Sequence, residues 1–122
     1  MSDELKILIV DDSNIIINLI KSYISGYNVK LCGLANDGIT ALKIFKEELP
    51  DIVTLDITMP DMDGLTVLDE MLKIKKDTKI VMITALSDKA TALRALSKGA
   101  FGYLNKPFKE ENIKNILDEV LK

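Results

Sequence analysis

Histidine is absent from this 122-residue chain, and its absence limits the chemistry that the protein can perform. Serine–histidine–aspartate and cysteine–histidine catalysis both need an imidazole as general base, so neither is open to the chain. A metal site built on imidazole is excluded for the same reason. Any metal would therefore be held among oxygen atoms, which favours a hard cation. The chain also cannot itself carry a phosphohistidine.

Cysteine and long apolar stretches are scarce as well. Cys32 is the only cysteine, so no disulfide forms within the chain, which is typical of a reducing compartment. We expect it to be a small buried residue of a strand. The apolar runs are short, such as Ile15 to Ile17, and residues 1–4 are acidic and unlike a signal peptide. These features predict a cytoplasmic protein without membrane insertion.

The chain also has no excess of positive charge. It contains 16 Lys and Arg against 19 Asp and Glu, a net charge of -3. Such a balance does not neutralise a phosphate backbone, so nucleic acid is not expected as a partner. Hydrophobic residues make up 48% and charged residues 29% of the sequence, which is ordinary for a globular protein. The length predicts one domain, covering residues 1–122.

Apolar strand-like runs alternate with helical patterns along the whole chain. The predicted strands are residues 6–10, 29–34, 52–55, 80–83 and 101–104. A helical pattern follows each strand, and the helix-capping residues are predicted to be Ser13, Asn36 or Asp37, and Ser87. Five repeats of strand and helix predict an α/β fold whose parallel sheet is covered by helices on both faces.

Polar residues stand where the apolar strands end. They are Asp11, Asp12, Asp56, Thr84, Asn105 and Lys106. In a parallel sheet the carboxyl ends of all strands lie at one edge, and open α/β sheets place their sites there. Each residue alone has an ordinary explanation: a helix cap, a solvated acid, a strand-end residue or a surface lysine. Their occurrence at four separate strand ends favours a common site.

Three carboxylates at one edge would repel one another. Each close pair costs roughly 4 kcal/mol at an effective dielectric constant near 20. The oxygen-rich cluster suits Mg²⁺, which binds a few carboxylates and keeps several waters. A carboxylate beside Mg²⁺ and Lys106 is a credible nucleophile toward phosphorus, and such a transfer needs mainly positioning and charge neutralisation. The pattern therefore predicts an aspartyl-phosphate site without histidine.

These residues resemble the motifs of the receiver domains of two-component response regulators, above all the CheY-like single-domain members. The resemblance extends from about residue 6 to residue 121. The motifs are Asp11-Asp12, the segment from Leu55 to Pro60 followed by Asp63-Gly64, Thr84-Ala85, and Lys106-Pro107-Phe108. The resemblance implies a flavodoxin-like (βα)5 doubly wound sheet of order 2-1-3-4-5, without an output domain. It also implies a cis Lys106–Pro107 bond.

The resemblance further implies a role for each acid of the site. Asp56 would be the phosphoacceptor. Asp12 would bind Mg²⁺ directly, and Asp11 mainly through a bound water. Thr58 would offer its backbone carbonyl to the metal and lie beside the phosphoryl group. Lys106 would pair with a phosphoryl oxygen.

The remaining positions would hold and sense the phosphoryl group. Thr84 resembles the switch hydroxyl, which turns inward to bond the phosphoryl group, and the backbone N–H of Ala85 would help to hold it. Tyr103 matches the aromatic switch residue, although an ordinary half-buried strand tyrosine is the alternative. Leu86 and Thr58 occupy positions that influence hydrolysis, and an apolar Leu86 predicts slower phosphate release than an acid there would allow.

The implied function is a signalling switch, with no enzymatic activity beyond its own phosphorylation and autodephosphorylation. A sensor histidine kinase would donate the phosphoryl group. A monomer would then bind a downstream effector protein, such as a flagellar motor switch; the sequence does not choose the pathway.

Three alternatives stay open at this point. A haloacid-dehalogenase-type phosphatase would need a second acid at the position of Thr58. A flavin or nucleotide carrier would need a Gly-, Ser- or Thr-rich loop where Asp11 and Asp12 stand. A phosphate-independent interaction module would leave the acceptor set without a purpose.

Overall fold

The computed structural model describes residues 4–85 and 87–122, and in this part of the chain five strands alternate with five helices. The strands are β1 (Leu5–Val10), β2 (Val29–Ala35), β3 (Ile52–Asp56), β4 (Lys79–Ala85) and β5 (Gly102–Lys106). The helices are α1 (Asn14–Ile24), α2 (Gly38–Glu48), α3 (Gly64–Ile74), α4 (Lys89–Lys98) and α5 (Glu110–Val120). Leu86, to which the expectation about hydrolysis is attached, lies outside the described residues. None of the described helices has the length and apolar character of a membrane span.

All five strands are parallel and form one sheet in the order β2-β1-β3-β4-β5. The predicted fold class and strand order are therefore confirmed. The order reverses between β1 and β3, because β2 follows β1 on one side and β3 lies on the other. Ligand sites of open α/β sheets form at such a reversal.

The core is divided by the sheet into two layers. One layer joins alternate strand residues to the helices α2, α3 and α4, and its largest fully buried side chain is Phe45. The other joins the intervening strand residues to α1 and α5, around Ile20 and Leu117. Each fully buried aliphatic or aromatic side chain contributes about 1.5–3 kcal/mol of transfer free energy. The two layers hold the strand ends in one rigid frame.

Carboxylate and hydroxyl caps begin four of the five helices. Ser13 and Asp37 cap α1 and α2, as predicted, through bonds from the backbone N–H of Ile16 and Thr40. The prediction that Ser87 caps α4 is wrong, because Asp88 occupies that position. The negative charge of the Asp88 carboxylate interacts favourably with the helix dipole, whereas a serine hydroxyl has no charge.

Cys32 lies in β2, as predicted, but it is only half-buried. Its strand is at the edge of the sheet, with β1 as its one neighbour. Cys32 is therefore a strand residue that is only partly buried.

Candidate functional site

The polar residues predicted at the strand ends do lie together at the carboxyl edge of the sheet. Asp11 directly follows β1, while Asp56 and Lys106 are the last residues of β3 and β5. Asp11, Asp12 and Asp56 each offer a carboxylate oxygen, and these three oxygens lie within 4.8 Å of one another. The strands on either side of the order reversal thus supply the acidic cluster.

Asp11 is the most deeply buried acid of the cluster, with no exposed surface. Its Oδ1 accepts a hydrogen bond of 2.9 Å from the backbone N–H of Ser13. Its Oδ2 lies 3.1 Å from Lys106 Nζ, an ion-pair distance. That oxygen nevertheless has no hydrogen-bond partner among the described residues. A buried carboxylate oxygen with only a cation beside it can accept a further ligand.

Asp56 is 4% exposed and lies beside the same lysine. Its Oδ2 is 3.5 Å from Lys106 Nζ, and its Oδ1 accepts a bond of 3.3 Å from the backbone N–H of Thr58. The Lys106 side chain is 30% exposed, so its ammonium reaches the buried acids from the rim of the site. Asp56 therefore has one oxygen next to a cation and a narrow opening to solvent.

Burial and charge crowding change the protonation of the two buried acids. Burial raises the pKa of Asp56 to about 6, the negative charge of Asp11 adds to the rise, and Lys106 opposes it. Burial also raises the pKa of Asp11, against the bond from Ser13 and the charge of Lys106. One lysine does not balance three carboxylates, so a cation at this cluster would relieve the remaining repulsion.

The donor set fits a hard divalent cation. It consists of three neighbouring carboxylates: buried Asp11 and Asp56, and exposed Asp12. Mg²⁺ prefers oxygen ligands and binds through few carboxylates while keeping waters. The Asp11 oxygen that lacks a hydrogen-bond partner is available for such a ligand or for its water.

Thr84 is the penultimate residue of β4, the strand beside β3, and is 2% exposed. Its Oγ1 accepts a hydrogen bond of 2.9 Å from the side-chain amide of Asn105, its register partner on β5. Because the amide occupies an acceptor position of the hydroxyl, the hydroxyl proton stays free to be donated to another group. Sequence reasoning placed Asn105 at a strand end but assigned it no role; the parallel register of the two strands is the signal that pairs it with Thr84.

The other three predicted site residues are Thr58, Ala85 and Tyr103. Thr58 is exposed and lies in the β3–α3 loop, two residues after Asp56, to which its backbone N–H donates. Ala85 is exposed and pairs in register with Lys106. Tyr103 is half-buried against the α2–α3 core layer, on the same face of the sheet as Thr84, because side chains alternate along strands. The Lys106–Pro107 bond is cis, as predicted.

Gly64 explains the Asp63-Gly64 motif of the β3–α3 loop. A Cβ at Gly64 would lie 2.5 Å from Ile57 Cα and 2.9 Å from the carbonyl oxygen of Asp56. The backbone N–H of Gly64 donates to the carbonyl of Ile57 at 2.9 Å, which closes the loop. Asp63 then caps α3 by accepting a bond of 3.0 Å from Leu65 N–H. The motif brings the start of α3 against the end of β3, the strand that carries Asp56.

The family model that matches this chain is the response regulator receiver domain, over residues 7–118. The chain therefore belongs to the response regulator receiver domain family. It contains the receiver domain of a CheY-like response regulator, a class of signalling switch in two-component systems.

Curated relatives come from more than one pathway. The chain is 36% identical over 118 residues to the chemotaxis protein CheY of Listeria monocytogenes, covering 97% of this chain and 99% of that relative. It is 35% identical over 117 residues to the probable C4-dicarboxylate response regulator DctR of Bacillus subtilis, covering 95% of this chain and 52% of DctR. Among solved structures, it is similar to a chain of the CheX–CheY–BeF3–Mg+2 complex from Borrelia burgdorferi, with a TM-score of 0.90 and 32% identity, covering 97% of this chain and 90% of that one.

Proposed function

We propose that this chain is a phosphorylation-activated switch in which Asp56 accepts a phosphoryl group with Mg²⁺ bound. One observation carries the proposal: three carboxylate oxygens lie within 4.8 Å of one another, and Lys106 Nζ lies 3.1 and 3.5 Å from the two buried acids, one of which, Asp56, ends the central strand β3. Asp12, Asp56 and the backbone carbonyl of Thr58 would be metal ligands, and Asp11 would act through a bound water.

The proposed transfer forms an acyl phosphate. A carboxylate oxygen of Asp56 attacks the phosphorus, and the bond between phosphorus and the donor's imidazole nitrogen breaks as the new oxygen–phosphorus bond forms. Lys106, already beside Asp56 Oδ2, would pair with a phosphoryl oxygen, and the N–H groups of Thr58 and Ala85 would hold the others. When bound, Mg²⁺ would supply further charge neutralisation.

The response to phosphorylation would begin at Thr84. Its hydroxyl proton, left free by the bond from Asn105, would be donated to a phosphoryl oxygen. Tyr103, on the same face of the sheet, would then change position, and the surface formed by α4, β5 and α5 would rearrange. A local charge change of this kind biases a two-state element.

The proposed partners are those that the family resemblance implies. A sensor histidine kinase would be the donor, as the family resemblance implies. The chain has no histidine, so it cannot carry the phosphohistidine itself. We further propose that the receiver domain of residues 1–122 acts as a monomer on a separate effector protein. Listeria CheY, which this chain covers to 99%, favours a chemotaxis partner such as the flagellar motor switch, whereas the likeness to DctR leaves another pathway open.

The acceptor is tested by incubating the protein with a small acyl-phosphate donor and Mg²⁺. We expect the intact mass to increase by one phosphoryl group, and EDTA to prevent the increase. Asp56→Asn should abolish labelling, whereas Asp88→Asn, at the start of α4, should preserve it. Labelling that persists in Asp56→Asn would refute Asp56 as the acceptor.

A further inference from the structure

Asp61 links the loop of the candidate site to a helix that lies outside it. It belongs to the β3–α3 loop (residues 57–63), and its side chain reaches the start of α2. Its Oδ1 accepts a hydrogen bond of 2.8 Å from the backbone N–H of Gly38, and its Oδ2 accepts one of 3.0 Å from Ile39. These partners are 23 and 22 residues away in sequence.

The link uses donors that every helix leaves unpaired. The first N–H groups of a helix have no partner within it, and a carboxylate both accepts hydrogen bonds from them and interacts favourably with the helix dipole. The side chain of Asp37, the N-cap residue that directly precedes α2, accepts a hydrogen bond of 2.7 Å from the backbone N–H of Thr40. Asp61 accepts from the other two donors of that turn. The bonds from Gly38 and Ile39 lower the pKa of Asp61, so its carboxylate is charged at neutral pH.

Pro60 and the packing of two methionines restrict the loop between Asp61 and the acidic cluster. Pro60 has a fixed φ angle and restricts Met59 to extended conformations. Met59 and Met62, on either side of Pro60 and Asp61, both pack against the core layer below α2 and α3. A displacement of Asp61 would therefore be transmitted to Thr58, three residues earlier, rather than be absorbed by a flexible turn.

Gly38 allows the loop to approach α2 this closely. A Cβ at Gly38 would lie 2.8 Å from Met62 Cβ and 3.0 Å from Val67 Cγ2. The contact and the two hydrogen bonds of Asp61 thus depend on a missing side chain at the first residue of α2.

We propose that Asp61 is a positioning residue for the metal site: by bonding α2 it sets the position of the Thr58 carbonyl beside Asp56. The proposal rests on the proposed function, which makes that carbonyl a Mg²⁺ ligand. Groups that orient metal ligands change metal affinity when removed, by about 10- to 100-fold if they bond a ligand directly. Asp61 acts through three residues of loop, so we expect a smaller effect of about 3- to 10-fold, scaled down from that range.

The test compares two caps of the same helix. Mg²⁺ affinity is measured by titration followed by NMR chemical shifts, and thermal stability is measured without metal, for the wild type, Asp61→Ala and Asp37→Ala. Both variants remove a cap from α2 and should lower the melting temperature. Only Asp61→Ala should weaken Mg²⁺ binding, by about 3- to 10-fold. Asp61→Asn, which keeps one acceptor oxygen, should fall between Asp61→Ala and the wild type.

Gly38→Ala is a second variant that tests the role of Asp61. It keeps the Asp61 carboxylate and favours formation of α2. Its methyl group should displace Met62 and weaken Mg²⁺ binding, although alanine is the better helix former. Equal Mg²⁺ affinity in the wild type, Asp61→Ala and Gly38→Ala would overturn the positioning role alone. An equal loss in Asp61→Ala and Asp37→Ala would reduce the effect to helix stability and overturn it as well. A wild type that does not bind Mg²⁺ would overturn the proposed function, and the role of Asp61 with it.

Discussion

At the scale of single residues, the role proposed for Asp56 makes two opposing demands: burial, which shields the side chain from solvent, and ionisation, which attack on phosphorus requires. Burial alone opposes ionisation, and the charge of Asp11 opposes it further, so the pKa of Asp56 is about 6. Lys106 offsets part of this effect at 3.5 Å. At neutral pH the metal-free site therefore holds a carboxylate that is charged at a cost to the stability of the fold.

This cost predicts how stability depends on pH. The pKa of Asp56 is raised from 3.8 to about 6 on folding, so its stabilising contribution is fully present below pH 3.8 and is lost as the pH rises through 6. This rise in the pKa of Asp56 corresponds to about 3 kcal/mol of unfolding free energy at neutral pH. In metal-free protein, Asp56→Asn should raise the free energy of unfolding by up to that amount at pH 7.5, and the gain should shrink toward pH 4. Urea unfolding at several pH values measures it.

Asp51 provides a control with the opposite sign. Although burial opposes the change, the backbone N–H of Lys6 and the ammonium of Lys75 lower the pKa of Asp51. Its contribution is present above the unfolded pKa and is lost as the pH falls, so Asp51→Asn should destabilise the protein at pH 7.5. If Asp56→Asn also destabilised the protein at that pH, the explanation that burial and neighbouring charge raise the pKa of Asp56 would be wrong.

At the scale of elements, short polar residues decide where helices begin. Asp88, not Ser87, accepts the bond from Thr91 N–H at 3.3 Å. Asp88→Ala should therefore lower the free energy of unfolding by about 1 kcal/mol, the usual cost of losing a cap. Ser87→Ala should change it by less than about 0.5 kcal/mol, as surface substitutions usually do. Denaturant unfolding of both variants gives the comparison, and a larger loss in Ser87→Ala would restore the original prediction.

The turn between β3 and α3 depends on one glycine. A Cβ at Gly64 would lie 2.5 Å from Ile57 Cα, and a backbone atom cannot move aside as a side chain can. We expect Gly64→Ala to destabilise the fold by about 1–3 kcal/mol, the range for overpacking. Gly26→Ala is the matched control, because a Cβ there would meet no atom within 4 Å. Equal melting temperatures of the two variants would contradict this account of the turn.

At the scale of the whole molecule, the sheet converts distant sequence positions into one site. The two core layers fix β1, β3, β4 and β5 relative to one another, so a ligand at their carboxyl ends binds the folded state alone. A metal that binds only the native state stabilises it by about 1.4 kcal/mol when its concentration is ten times the dissociation constant. Millimolar Mg²⁺ should accordingly raise the melting temperature of the wild type.

Asp11→Asn should reduce this shift, and potassium chloride at equal ionic strength should not reproduce it. Differential scanning calorimetry with and without EDTA measures the effect. If Mg²⁺ raised the melting temperature of Asp11→Asn by the same amount, the metal would bind somewhere other than the acidic cluster.

The sequence by itself determined the order of strands and helices along the chain, the parallel sheet and the identity of the residues at its carboxyl edge. Run length, helical spacing and polar strand ends are local signals, and the family resemblance supplied the order of the strands within the sheet and the cis bond at Pro107. The tertiary structure decided which groups bond across the fold: Asp61 with α2, Asn105 with Thr84, and Lys106 with both buried acids. These contacts join residues 21 to 95 positions apart, as Asn105 with Thr84 and Lys106 with Asp11 show. No periodicity encodes them, because they arise only when packing brings the strand ends and helix starts together.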